Sequence, residues 1–235
     1  MKQLVAALAL ASTLALVGTA HGGIILQVDV ELRGTTDLAP GFDRITMDDG
    51  GFPNTVKTFA NGITVDIDPV GVVWGNNDRH RLTPTGFPEA ALYRDFVFGP
   101  GNDSPAGGID ITLSGLVPNA PFFLTLWSFD QGSANNRVSD WFVVDGRGTV
   151  QVMENYTFNG SVLPTSGEDN RFTFYTLSDP TGQIVIQGRG DLSSYNNNPS
   201  VFLNALSVWA IPEPCTMALL GLGLAALARR RRRRR

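Results

Sequence analysis

Away from its two ends, the chain never keeps a helical apolar period for three turns. Instead, short runs rich in valine, isoleucine, threonine and aromatic residues recur between clusters of glycine, proline, asparagine and aspartate. The runs are Ile24 to Val30, Thr55 to Phe59, Ile63 to Ile67, Tyr93 to Phe98, Ile109 to Leu113 and Phe122 to Phe129. They continue at Asp140 to Val144, Thr149 to Val152, Phe172 to Leu177, Gln183 to Gln187 and Val201 to Trp209. Branched and aromatic side chains suit a pleated, half-buried surface, and the residues between the runs are turn formers. The pattern predicts an all-β fold, an antiparallel β-sandwich or jelly roll, with no internal repeat. Residues 21–210, long enough to bury a core without covalent staples, are expected to form one domain.

The ends are of another kind. Lys2 followed by an apolar stretch from Leu4 to Val17 and the small residues Gly18, Thr19 and Ala20 reads as a signal peptide over residues 1–20, cut by signal peptidase after Ala20. At the other end the tripeptide Pro212, Glu213, Pro214 precedes an apolar helix-forming run over 216–228. The basic block Arg229, Arg230, Arg231, Arg232, Arg233, Arg234 and Arg235 follows it. Thirteen residues of helix span about 20 Å, against a hydrocarbon core of roughly 30 Å. The run alone is short for a transmembrane helix. The arginines shift the balance, because positive charge beside an apolar helix fixes its cytoplasmic end and snorkelling stems lengthen its reach. A helix is therefore expected at each end of the chain, lying apart from the sandwich.

The tripeptide, apolar run and arginine block in this order resemble the PEP-CTERM sorting tail of exported bacterial proteins, over about a tenth of the chain. The resemblance implies a sorting tail over residues 211–235, transient anchoring in the inner membrane, cleavage by an exosortase near the tripeptide, and release to the cell surface or extracellular matrix.

Between the two expected cleavage regions, His21 to Ile211 holds 21 acidic residues, 17 of them aspartate, against 10 basic ones, a net charge of −11. That balance opposes binding to nucleic acid or anionic lipid. No cofactor is required by any motif, although the hard oxygen donors permit a structural calcium ion. The candidate pairs are Asp29 with Glu31, Asp48 with Asp49, and Asp66 with Asp68. The single cysteine, Cys215, lies in the tail, so no internal disulfide forms.

The stretch Ile109 to Asp130, with a Gly-Leu-x-Pro-Asn turn between two runs, is similar to a hairpin of galactose-binding-like jelly rolls, and Val201 to Trp209 to their last strand. Alternation puts Phe122, Leu124 and Leu126 on one face and Phe123, Thr125, Trp127 and Phe129 on the other. Two readings of the second row are open. It is covered by other strands or loops, or it is a sugar-stacking platform in which Trp127, Asp130, Asn135, Arg137 and Trp141 combine rings with planar hydrogen-bonding groups. A second polar loop, Gly75 to Gly99, carries Asn76, Asn77, Asp78, Arg79, His80 and Arg81. Its arginines either meet acidic sugars or form internal ion pairs with partners such as Asp95.

Catalysis finds little support. The exported part has no cysteine, and only His21 and His80 as histidines. No G-x-S-x-G elbow frames a serine. Glu89, Glu154 and Glu168 are the carboxylates a glycan hydrolase would have to draw on. The sequence expectation is a non-enzymatic surface or matrix protein associated with exopolysaccharide. The alternatives are a structural or adhesive protein making protein contacts only, and a carboxylate-dependent glycan hydrolase.

Overall fold

The computed structural model describes residues 22–32, 34–47, 55–71, 78–100, 107–133, 137–190 and 200–212. The expected signal segment and the tail beyond Pro212, with the helices expected there, lie outside these residues. The chain divides into two units, Ile24–Trp209 and a second made of Met1–Gly23 with Ala210–Arg235.

Fourteen strands are described: β1 Gly23–Leu32, β2 Asp43–Met47, β3 Thr55–Thr58, β4 Thr64–Val70, β5 Asp78–His80, β6 Asp95–Pro100 and β7 Gly108–Ser114. They continue with β8 Pro121–Trp127, β9 Arg137–Asp145, β10 Gly148–Phe158, β11 Arg171–Leu177, β12 Ile184–Gly190, β13 Ser200–Leu203 and β14 Ala205–Ala210. A 3-10 turn at Ala90–Tyr93 is the only helical element among the described residues. The strands form a five-stranded sheet in the order β11-β8-β14-β1-β2, a six-stranded sheet β10-β9-β12-β7-β4-β3, and a short sheet β13-β6-β5. The all-β, β-sandwich-like architecture read from the sequence is thus present.

Alternation explains which residues face inward. Phe122, Leu124 and Leu126 of β8, Leu26, Val28 and Val30 of β1, and Leu206 and Val208 of β14 are buried from the five-stranded sheet. From the six-stranded sheet come Val65, Ile67, Ile109, Ile111, Leu113, Trp141, Val143, Ile184 and Ile186. The two inner faces meet through rings: Trp141 of β9 and Phe172 of β11 lie 5.4 Å apart, and Tyr156 of β10 and Phe172 lie 5.1 Å apart. Edge and offset contacts of this kind add about 0.5–1.5 kcal/mol each beyond the area they bury. Gly188 of β12 is needed for that packing, because a Cβ there would stand 2.9 Å from the Trp141 ring.

Three details depart from the sequence reading. The β1–β2 pair is parallel, with Val30 opposite Ile45, so the sheets are not wholly antiparallel. The β7–β8 turn does not close a hairpin; β7 pairs with β4 and β12 while β8 pairs with β11, so the turn carries the chain from one sheet to another. Val201 to Trp209 is two strands rather than one, broken at Asn204. That residue is fully buried and engaged on four sides. Its N–H donates to Trp127 O at 3.0 Å, and its carbonyl accepts from Val30 N at 2.8 Å. Its side-chain oxygen accepts from Phe129 N at 2.7 Å, and its amide donates to Asp95 O at 3.0 Å. Asn204 thereby ties the end of β8 and the middle of β1 to the start of β6.

Candidate functional site

The two polar loops singled out in the sequence bond to each other. Arg81 Nε donates to Asp130 Oδ1 at 3.0 Å, and its guanidinium lies 5.8 Å from the Phe96 ring. The buried Asp130 also accepts from Gly132 N and from the Ser133 hydroxyl, each at 2.7 Å. His80 Nδ1 stands 2.9 Å from Asp95 Oδ1, and Arg94 pairs with Asp37 at 2.6 Å. The internal ion-pair reading of Arg81 therefore holds, with Asp130 as its partner, while Asp95 is taken by His80. Arg79 lies over the Phe98 ring at 5.0 Å. Asn76 and Asn77 lie outside the described residues.

The proposed stacking platform does not form. Trp141 is 0% exposed and donates its indole N–H to Ser139 Oγ at 3.0 Å. Trp127 is 4% exposed, with its indole N–H on Gly167 O at 2.8 Å, the Phe42 ring edge-on at 5.6 Å and the Arg171 guanidinium at 5.7 Å. Neither ring has a free face for a pyranose. Asp130 is occupied as described, Arg137 opens β9 with its guanidinium 5.9 Å from the Phe202 ring, and Asn135 lies outside the described residues. The covered reading of this row is correct at Trp127.

The acidic pairs sit in different surroundings. Asp29 and Glu31 point outward from β1 yet are buried, because residues 34–42 fold over them and Ala39 N donates to Asp29 Oδ2 at 2.9 Å. Glu31 takes Arg44 at 2.7 Å. One oxygen each of Asp29, Glu31 and Asp95 is buried without a hydrogen-bond partner. Burial, with the charges of Glu31 and Asp95, pushes the Asp29 carboxyl up to about 8 against the pull of the Ala39 N–H and Arg44. Glu31 and Asp95 are also raised, in each case chiefly by burial. Asp66 and Asp68 lie on β4 beside Asp110, which Arg189 engages at 2.7 Å. No group of three or more His, Cys, Asp or Glu among the described residues fits a metal ion. Asp48 and Asp49 lie outside those residues.

What remains open is the part of the five-stranded sheet's outer face that residues 34–42 leave bare. Phe123 of β8 and Tyr175 of β11 are paired in register, their rings 6.0 Å apart and edge-on, and are 45% and 42% exposed. Trp209 of β14 is 45% exposed. Leu206 and Val208 point to the core, so Trp209 points to the same outer face as Phe123. Asn204 bonds Trp127 at the end of β8, and the rest of β14 pairs back along β8, so the two strands run antiparallel. Trp209 thus comes level with the Phe123 end of β8. Three rings on three neighbouring strands form a row, followed inward by the hydroxyls of Thr125 and Thr173, 2.7 Å apart. Arg147, held by Asp145 at 2.5 Å, lies 5.4 Å from the Tyr175 ring. Alternation in the sequence had already put Phe123 on an outer row. It offered no signal that Tyr175 and Trp209 are its neighbours, because strand order is not written in any one run.

A second opening, a groove of about 560 Å³ between Thr157–Asn159 and the segment Val162–Thr165, is lined by Asp169 and Asn170 at its far side. Asp169 is occupied there by the N–H groups of Thr165 and Ser166, at 2.7 and 3.0 Å.

Past Trp209, β14 ends at Ala210 and the tripeptide opens at Pro212. A Cβ on Gly22 would lie 2.7 Å from Pro212 Cγ and 3.0 Å from Ala210 O, so the residue preceding β1 lies directly against the first residue of the tripeptide. The family model of the PEP-CTERM protein-sorting motif matches residues 210–234. The chain carries a PEP-CTERM sorting motif. That motif implies export with a C-terminal membrane-anchor sorting signal, and an exosortase as processing partner. Among the described residues no helix is long and apolar enough to cross a membrane.

No curated protein matches the sequence. Similar solved structures include the CBM22-1 xylan-binding domain of Paenibacillus barcinonensis Xyn10C, at 11% identity over 83% of this chain and 99% of that one, with a TM-score of 0.39. The ANX2 ectodomain of Arabidopsis thaliana is 15% identical over 81% of this chain and 50% of that one, with a TM-score of 0.44. The K3 adhesin domain of Lys-gingipain from Porphyromonas gingivalis w83 is 12% identical over 49% and 73%, with a TM-score of 0.30. The chain spans about half the length of the Arabidopsis ectodomain it resembles.

Proposed function

We propose that the chain is an exported, non-catalytic cell-surface or matrix protein. On this reading its signal peptide is removed after Ala20, its C-terminal helix and arginines hold it in the inner membrane, and an exosortase then releases it. The observation that carries the reading is the PEP-CTERM motif over residues 210–234.

Once outside, the β-sandwich associates with extracellular polysaccharide through the open row of Tyr175, Phe123 and Trp209. Aromatic rings offer flat apolar faces to sugar rings, and the adjoining Thr125 and Thr173 hydroxyls supply donors and acceptors. The acidic domain suits a neutral or weakly charged polymer better than a strongly anionic one.

Co-sedimentation of the released protein with polysaccharide from the producing cells tests this. Binding is expected, and the double substitution Phe123→Ala, Tyr175→Ala should weaken it about tenfold with the fold retained, whereas Arg79→Ala should not. Absence of binding to every fraction of that polysaccharide would leave a structural or adhesive protein instead.

A further inference from the structure

The aromatic row has a second property besides its rings: its distance along the chain from the anchor. Trp209 is the penultimate residue of β14, the motif begins three residues later, and the apolar run opens at Thr216, seven residues past Trp209. Seven residues reach at most about 25 Å when fully extended. The tether cannot lengthen by unpeeling the strand, because β14 is the central strand of its sheet, hydrogen-bonded to β8 and β1, with Leu206 and Val208 wholly buried.

We propose that, while the tail holds the chain in the inner membrane, the row Tyr175, Phe123 and Trp209 rests in the lipid headgroup interface, and that cleavage of the tail is what frees it. The proposal rests on the anchoring read above and adds a regulation to the same surface: polysaccharide binding is masked until sorting is complete.

The chemistry of the row fits its occupant. Tryptophan and tyrosine settle at membrane–water interfaces because an apolar ring with one polar edge suits the headgroup level. Arg147 beside Tyr175, its charge balanced by Asp145, adds a polar group at that level. Three rings are too small a patch to hold a free domain on a bilayer. A short tether changes this, since it turns the contact into an intramolecular one at an effective concentration in the millimolar range. Charge acts the other way: with a net −11 between the expected cleavage sites, the domain is repelled by anionic lipid. Contact should therefore exist only with the tail attached and lapse once it is cut.

The test uses the full-length precursor reconstituted in vesicles whose lipids are brominated near the glycerol backbone, which quenches tryptophan on close approach. The chain has four tryptophans, so the Trp209 contribution is taken as the difference between wild type and Trp209→Phe, a change at a half-exposed position that leaves the core intact. That contribution should fall roughly twofold or more in the anchored precursor and recover after exosortase cleavage, with the product leaving the vesicles. Adding Phe123→Ser and Tyr175→Ser should lift the quenching without releasing the precursor. A precursor that floats with the vesicles but shows no Trp209 quenching overturns the proposal and leaves the anchor standing. The same holds if the row binds polysaccharide equally well before and after cleavage. A precursor that does not float overturns both. Quenching by a protein that binds no polysaccharide in either state removes the sugar reading and keeps the membrane seat.

Discussion

Asn204 joins three strands with four hydrogen bonds from a position with no exposure to solvent. Asn204→Ala keeps the backbone bonds but strands the Phe129 N–H and the Asp95 carbonyl in the interior, where each unsatisfied group costs about 1–3 kcal/mol. A loss of about 2–4 kcal/mol is expected, read as a lower urea midpoint at unchanged slope. In the sequence this residue looks like one polar position in an otherwise regular run, VFLNALSVW, and nothing local marks it as the joint between two sheets. The tryptophans misled for a related reason. Trp127 and Trp141 stand next to Asn- and Asp-rich turns, as rings at a sugar site would, but what covers Trp127 is Phe42 and what faces Trp141 is Phe172, both far away in the chain. Side-chain polarity near a ring is local; burial of the ring is not. Alternation within one strand made the face of Phe123 legible but not its exposure, since Trp127 and Phe129 of the same row are buried.

At the scale of elements, eleven runs were readable because their branched and aromatic residues alternate or cluster between turn formers. The two strands missed were β2, DRITM, and β5, DRH, which open on charges and are too short to show a period. Their strand character comes from partners: β2 lies parallel to β1, and β5 pairs with β6. Strand β1 also carries the most perturbed carboxylate described. Asp29 is enclosed by residues 34–42, with Glu31 on its own strand, Asp95 from β6 bonded to His80 of β5, and Arg44 from β2 as the cation nearby. Folded, the Asp29 carboxyl keeps its proton until about pH 8, whereas the unfolded chain loses it near 4. Between those values the folded state binds more protons, so stability falls as pH rises through this window. Glu31 and Asp95, also raised, act in the same direction. Thermal unfolding should show a lower midpoint at pH 9 than at pH 5.5, and Asp29→Asn, which preserves an acceptor for Ala39 N–H, should flatten the difference. An unchanged pH dependence in that variant would mean Asp29 is ionised in the folded protein.

For the whole molecule, the two ends and the middle obey different physics. The middle is an acidic β-sandwich without a cysteine; the ends are apolar segments flanked by positive charge. Class and export were legible from composition and order alone, since period and charge blocks survive without knowledge of contacts. The position of the open face was not, because it depends on strand order and on which loop folds over which sheet. Gly22, just before β1, lies against Pro212, two residues past β14, and β1 and β14 are neighbours in the five-stranded sheet. The most direct test of the account is the intact mass of the protein recovered from the cell surface or medium, compared with a strain lacking exosortase. The expected species lacks residues 1–20 and Arg229 to Arg235, and in the exosortase-free strain the arginine-bearing form stays with the inner membrane. Extracellular protein that still carries Arg229 to Arg235 would contradict it.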